Sequence, residues 1–292
     1  MRLLEKIFSV KNEAIYKVVC ICGIKIKVKN KIKLLQNHLL DVVSKCENLE
    51  NSLNSLINEH LRADLEIKLK AKSVHKETFS SFKNIHKDDI VVLCASGPTI
   101  KNFHGINDAK YIGVNKVFLQ NNIKLDYLFI QDNLGAEIMN EASAYVGRNC
   151  QKFYGELSKL RINEILPIDK IPLSYINDAN AKNYILEKGL DYSFAYDLEN
   201  VPMGDFAGTV FSAMQFILFT GAKKIFLVGC DCSQGYFYDK ESRNDASYQI
   251  ESWKKIKEIV DRYYPDTEII SINPVGLKGI FKDEYQGETV EK

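Results

Sequence analysis

The chain has a single Trp, four Met and six Pro in 292 residues, and it lacks several signatures that would settle its class at once. No apolar run reaches the roughly 20 residues needed to cross a bilayer. The longest, around Phe211–Phe219, is interrupted by Gln215. The seven cysteines (20, 22, 46, 94, 150, 230, 232) form no Cys-x-x-Cys pair and have no histidines at metal-ligand spacing, which argues against a structural zinc site or a disulfide scaffold. Charges fall within residues 1–10 where a signal peptide would be apolar, so the expectation is a reduced, cytoplasmic chain. There is no Asp-x-Asp pair, no Walker loop and no Gly-x-Gly-x-x-Gly. The usual metal-dependent nucleotide-diphospho-sugar signature and the two commonest phosphate loops are thus absent.

Net charge is also small, at +1, but it is unevenly spread. Residues 1–36 hold nine basic and two acidic side chains, leaving 30 basic and 36 acidic elsewhere. An acidic body excludes nucleic acid as the main partner, and a basic arm suits an anionic surface. Hydrophobic content of 46% and charged content of 26% are those of a globular protein.

Three segments follow from the patterning. In residues 1–33 strict alternation after Gly23 sets Ile24, Ile26 and Val28 against Lys25, Lys27 and Lys29. This is the period of a strand, and a small basic β-hairpin is expected. Its lysine face is either a solvated surface or a contact for phospholipid headgroups, at about 1 kcal/mol per lysine. In residues 34–87, Leu35, Leu39, Val42, Cys46, Leu49, Leu53 and Leu56 are spaced 4-3-4-3-4-3, with His60 next. That is the seam of a coiled coil over about 34–72, predicting self-association or, alternatively, a helix folded onto its own domain. Residues 88–292 alternate apolar strands with helices. Strands are expected at 90–94, 111–114, 127–131, 224–229 and 268–272, and helices at 134–146, 179–188, 208–220 and 247–263. The predicted class is α/β, a Rossmann-like, doubly wound, mostly parallel sheet.

Four places in this third segment deliver small or polar groups to one sheet edge. Ser96-Gly-Pro-Thr99 follows the first buried strand, where turn amides and hydroxyls suit a phosphate. Asn115 ends the second strand, and Asp132 follows the third. Gly208-Thr209 opens an apolar helix whose N-terminal amides favour an anion, and Asp231 ends the strand after Gly221. Beyond it a polar, tyrosine-bearing stretch with Tyr236, Tyr238, Asp239 and Glu241 is expected to act as a lid.

The order of these motifs, with the late Ile272-Asn-Pro-Val-Gly-Leu277, resembles one superfamily. It comprises the bacterial lipooligosaccharide sialyltransferases of glycosyltransferase family 42, the motility accessory factors that glycosylate flagellin, and the 6-hydroxymethylpterin diphosphokinase-like domains. The opening Ile7-Phe-Ser-Val-Lys and Gly23-Ile-Lys-Ile-Lys27 also look like a preamble found on capsule and lipooligosaccharide sugar transferases. The resemblance implies transfer of a sugar, a nonulosonic acid, from a CMP-activated donor to a surface-glycan acceptor, which would be lipid-linked. It implies nucleotide binding by Ser96, Gly97, Pro98, Thr99, Asn115, Gly208 and Thr209, and phosphate contacts from Tyr236 and Tyr238. The lid histidine used as base in the sialyltransferases has no counterpart, since all five histidines (38, 60, 75, 86, 104) lie upstream. A carboxylate among Asp132, Asp231, Asp239 and Glu241 would then deprotonate the acceptor. No metal or other cofactor is required on this reading, with Mg²⁺ as an option. A homo-oligomer touching the inner membrane peripherally completes the expectation. The alternatives are an ATP-dependent diphosphotransferase, which would gather Mg²⁺ on carboxylates, and a non-catalytic oligomeric scaffold with a degenerate nucleotide fold.

Overall fold

The computed structural model describes residues 8–13, 16–21, 24–29, 31–131, 142, 145, 149–157, 180–187, 194–239, 241–242 and 245–286. The chain divides into two compact units, Met1–Arg62 and Ala63–Lys292.

The first unit contains a three-stranded antiparallel sheet, β1 (Phe8–Glu13), β2 (Tyr16–Ile21) and β3 (Ile24–Lys29), in sequence order. The sequence led to a two-stranded hairpin; the Phe8–Glu13 strand adds a third, paired along β2 from Phe8↔Ile21 to Glu13↔Tyr16. The alternation in β3 is as read, but Ile24 and Ile26 are exposed along with Lys25 and Lys27. After β3 comes α1 (Lys31–Phe79), 49 residues without Gly or Pro, whose last part belongs to the second unit. Among the described residues no helix is long and apolar enough to cross a membrane.

The second unit is built on a parallel sheet of nine strands. They are β4 (Ile90–Cys94), β5 (Ala109–Val114), β6 (Tyr127–Ile130), β7 (Gln151–Leu157), β8 (Ala181–Glu187), β9 (Met203–Gly204), β10 (Lys224–Val228), β11 (Glu268–Ile272) and β12 (Lys282–Glu284). Their order is β12-β11-β10-β4-β5-β6-β7-β8-β9, with every neighbouring pair parallel. The mostly parallel α/β expectation is met. From β4 the strands run outward one way through β9 and the other way through β12, so the order reverses between β4 and β10. Apolar runs such as Val91-Val-Leu-Cys94 and Ile225-Phe-Leu-Val228 are buried throughout, as strands covered on both faces must be.

One element contradicts the sequence reading. The sequence reading places a helix at 179–188, yet 181–187 is β8. Tyr184, Ile185 and Leu186 are all buried there, as in a strand covered on both faces. Packing between β7 and β9 overrides propensity. The helix expected at 134–146 lies almost wholly outside the described residues.

Two helices complete the core that matters here. In α2 (Thr209–Phe219) every residue is buried. Gln215, which breaks the apolar run, is fully employed. Its Oε1 accepts from the Ala195 and Gly204 amides at 3.0 Å each, and its Nε2 donates to the Gly204 carbonyl at 2.9 Å, tying the short β9 to the helix. Phe216 packs against Phe129 and Phe153, and Phe79 at the end of α1 stacks on Phe153. In α3 (Ile250–Tyr263) Trp253, Ile256 and Val260 form the buried stripe.

The end of α1 also finishes what β9 is too short to do. β9 pairs with β8 only at Leu186 and Glu187, leaving Asn183 and Ile185 with outward backbone groups. The Ile185 amide donates to Nε2 of His75 at 2.7 Å, and Thr78 Oγ1 donates to the Asn183 carbonyl at 2.8 Å. Because Nε2 accepts, Nδ1 carries the proton and donates to the Val201 carbonyl at 2.9 Å. His75 is thereby held as the neutral tautomer, and burial lowers its pKa to about 4.

Candidate functional site

All nine strands are parallel, so their carboxyl ends form one rim. Open α/β sheets offer a crevice on that rim where the strand order reverses. Here that point is between β4 and β10. After β4, the Ala95 amide donates to the Val228 carbonyl and the Gly97 amide to the Gly229 carbonyl, both at 2.8 Å. The two chain segments approach so closely that a Cβ on Gly97 would lie 2.5 Å from Gly229 O and from the Asp231 carboxyl carbon. Gly229 itself has φ +64°, a conformation strained for any other residue there.

Asp231, read from sequence as a candidate base, lies against the Thr99 turn. It is buried, its Oδ2 accepts from the Thr99 amide at 2.9 Å, and its Oδ1 accepts from the Thr99 hydroxyl. Burial pushes its pKa up, while the Thr99 bonds oppose the rise. With both oxygens taken, this carboxylate holds the Gly-Pro-Thr turn against the end of β10.

The neighbouring strand brings Asn115. It follows β5 at φ +47° and opens a 3-10 turn over Asn115–Leu119. Its Oδ1 accepts from the hydroxyl of Thr209 at 3.2 Å. Two segments 94 residues apart therefore meet, and the N-terminus of α2 lies at the end of β5. That N-terminus has no side-chain cap and no acidic residue in its first turn. Among the described residues the Asn115 amide group donates no hydrogen bond, and neither does the Ser96 hydroxyl. Unused donors and an uncompensated positive helix end thus share one rim.

The stretch after Asp231 closes back on the same rim. The Phe237 amide donates to the Ser96 carbonyl at 3.0 Å. Tyr236 and Tyr238 stack with ring centroids 5.1 Å apart, and Lys116 Nζ lies 5.6 Å from the Tyr238 ring. Pro98 is exposed beside this stretch. Ser96, Gly97, Pro98, Thr99, Asn115, Gly208, Thr209, Tyr236 and Tyr238 are therefore gathered on one connected rim. Asp239 and Glu241 are exposed; Asp239 Oδ1 accepts from the amides of Glu241 and Ser242 and stabilises the loop. Asp132 lies outside the described residues.

Sequence reasoning missed three residues. Lys116 directly follows Asn115 and carries a positive charge to the rim. Gln131, at the end of β6, donates to Asp205 Oδ1 at 3.2 Å and accepts from Ser212 at 3.4 Å. Asp205 Oδ1 also accepts from the Ala207 amide at 3.0 Å. Ala207 sits at φ +67°, and its carbonyl accepts from Gln249 at 3.1 Å. Asp205 and Gln249 together hold this left-handed alanine, which costs about 1 kcal/mol and aims Gly208-Thr209 into α2. Its signal in sequence was weak: an acid four residues before Thr209 in Gly204-Asp-Phe-Ala-Gly208. Among the described residues no three or more His, Cys, Asp or Glu side chains gather as a metal site.

No protein-family model and no curated protein matches the chain. Among solved structures, the MAf glycosyltransferase from Magnetospirillum magneticum AMB-1 is similar at 14% identity with a TM-score of 0.43. The similarity covers 74% of this chain and 38% of that one, so the chain spans well under half the length of that protein.

Proposed function

We propose that the chain is a glycosyltransferase that takes a sugar from a nucleotide donor held at the β4–β10 crevice. The observation that carries this reading is the Asn115–Thr209 contact. It sets an uncapped helix N-terminus beside the unused donor of Asn115 at the end of β5, the strand next to β4 and its Ser96–Thr99 turn. Such a group of donors binds a phosphate and a sugar or base edge together. The family resemblance of the motifs supplies the finer assignment: a CMP-activated nonulosonic acid as donor and a surface-glycan acceptor.

In this mechanism the acceptor hydroxyl displaces the nucleotide at the anomeric carbon. The α2 amides, Asn115 and the Ser96 hydroxyl hold the phosphate as it leaves, and Lys116 offsets its charge. Asp231 positions the turn. The acceptor proton goes to a carboxylate within about 3 Å of the hydroxyl, for which Asp132, Asp231, Asp239 and Glu241 are the candidates, with Asp205 added by its place before α2. The basic β3 face would keep the enzyme near an anionic, lipid-linked acceptor.

A thermal-shift panel of CMP, CDP, UDP, GDP and ATP, each with and without Mg²⁺, tests the reading. Ligand at about 100 times Kd stabilises by about 2.7 kcal/mol, well within detection. A metal-independent response to CMP, lost in Asn115→Ala, is expected. A response confined to ATP with Mg²⁺ would replace it with the diphosphotransferase. No response to any nucleotide, or a full response in Asn115→Ala, would remove the pocket.

A further inference from the structure

The heptad stripe of α1 is treated in two opposite ways along one continuous helix. Its first seven positions, Leu35 to Leu56, are all exposed or nearly so; Leu35 is 67% and Leu49 70% accessible. Farther along, the same row of positions carries Ile67 and Val74. Ile67 is 7% accessible and packs with Ala71, Val74 and Ile185 inside the second unit. The intramolecular partner of this stripe thus begins at Ile67. Upstream of it, a row of leucines long enough for three heptads faces no partner among the described residues of its own unit.

We infer that this upstream stripe is covered by the same stripe of a second copy, parallel and in register. The pattern itself is self-complementary: with Leu39, Cys46 and Leu53 at one seam position and Leu35, Val42, Leu49 and Leu56 at the other, each knob faces an identical hole. The flanking charges choose the orientation. Lys45 lies on one flank and Glu50, five residues on, lies on the other. In a parallel, in-register pair these two meet across the seam, twice by symmetry. In an antiparallel pair centred on the same layers, Lys45 meets Ser52 and Glu50 meets Val43, so the pairing is lost. Lys45 bonds Asp41 on its own helix at 2.8 Å, an exposed contact that is weak enough to be exchanged. Val43 and Ile57, both exposed on the Glu50 flank, widen the apolar face that the second copy covers.

The inference is independent of the nucleotide site and is tested on the full chain. Sedimentation velocity at micromolar concentration should give at least twice the monomer mass. Leu49→Asp should return it to monomer with the melting temperature of the second unit unchanged, because Leu49 is exposed in the single chain. Leu53→Asp serves as a second variant with the same expected result. Leu35→Cys in a Cys46→Ser background should form a disulfide between the introduced thiols of two copies under mild oxidation, identified by peptide mapping. A monomeric wild type, or unchanged mass in both Asp variants, overturns the association. A dimer that fails to cross-link at position 35 overturns the parallel register.

Discussion

Along α1, Leu53 and Phe79 sit on one helix in one chain, and their fates differ completely. Leu53 is exposed, whereas Phe79 is fully buried between Phe153 and Phe216. Helix propensity is good throughout, so it does not separate them. What separates them is tertiary supply. Near Phe79 a parallel sheet offers aromatic side chains and two outward backbone groups on β8; before Arg62 the first unit offers the leucine stripe no cover among its described residues. A period in sequence specifies that a face is apolar, and the surroundings specify who covers it.

The largest test of that contrast compares the two positions directly. Phe79→Ala should cost about 3–5 kcal/mol in urea unfolding followed by the fluorescence of the single, buried Trp253. Leu53→Ala should move the same transition by less than about 0.5 kcal/mol. Equal losses would mean that the upstream stripe is packed within the chain, and the contrast would collapse.

Next in size is the His75 contribution. Its folded pKa of about 4 lies below the ordinary value of 6.5, so the unfolded chain binds the extra proton between them. Stability should therefore be complete above about pH 6.5 and fall as pH drops through 4, by roughly 3 kcal/mol in full. His75→Gln, which keeps an acceptor and a donor, should flatten that part of the profile. A wild-type profile no steeper than the variant's would show that the histidine is not held neutral.

The smallest effect sharpens the orientation of the association. Lys45→Glu should weaken self-association by about 0.2–1 kcal/mol, and adding Glu50→Lys should restore it. Restoration read as a return of the dissociation constant supports the parallel register; additive losses argue for the antiparallel one.

How much of this was readable from sequence depended on whether the signal was local. β4, β10, β11 and α2 are mostly apolar stretches bounded by Gly or polar residues, and the structure places them within a residue or two of the expectation. The heptad spacing was equally plain. β8 was misread because its composition favours helix while pairing with β7 and β9, distant in sequence, makes it a strand. β7 escaped because Gln151-Lys-Phe-Tyr-Gly-Glu-Leu157 is neither alternating nor uniformly apolar, and Lys152 is fully buried there. At the rim, Asn115 and Thr209 could be nominated because each sits at a strand or helix end. Asp205, Gln131 and Lys116 could not, since only the folded sheet brings the end of β6 to the segment before α2. The contacts of Asp231 with the Thr99 amide and hydroxyl were not foreseeable, because they join residues 132 positions apart.

That latch has a kinetic and energetic corollary. A phosphate loop that had to freeze on each encounter would subtract its own ordering entropy from every binding event. With Thr99 clamped by the Asp231 carboxylate, the Ser96–Thr99 turn needs no such ordering, so on the proposed reading a nucleotide bound beside it would lose no affinity to arranging it. On the proposed reading the tyrosine-bearing segment, fastened to that turn by the Phe237–Ser96 backbone hydrogen bond among those described, would be the side of the site left to adjust.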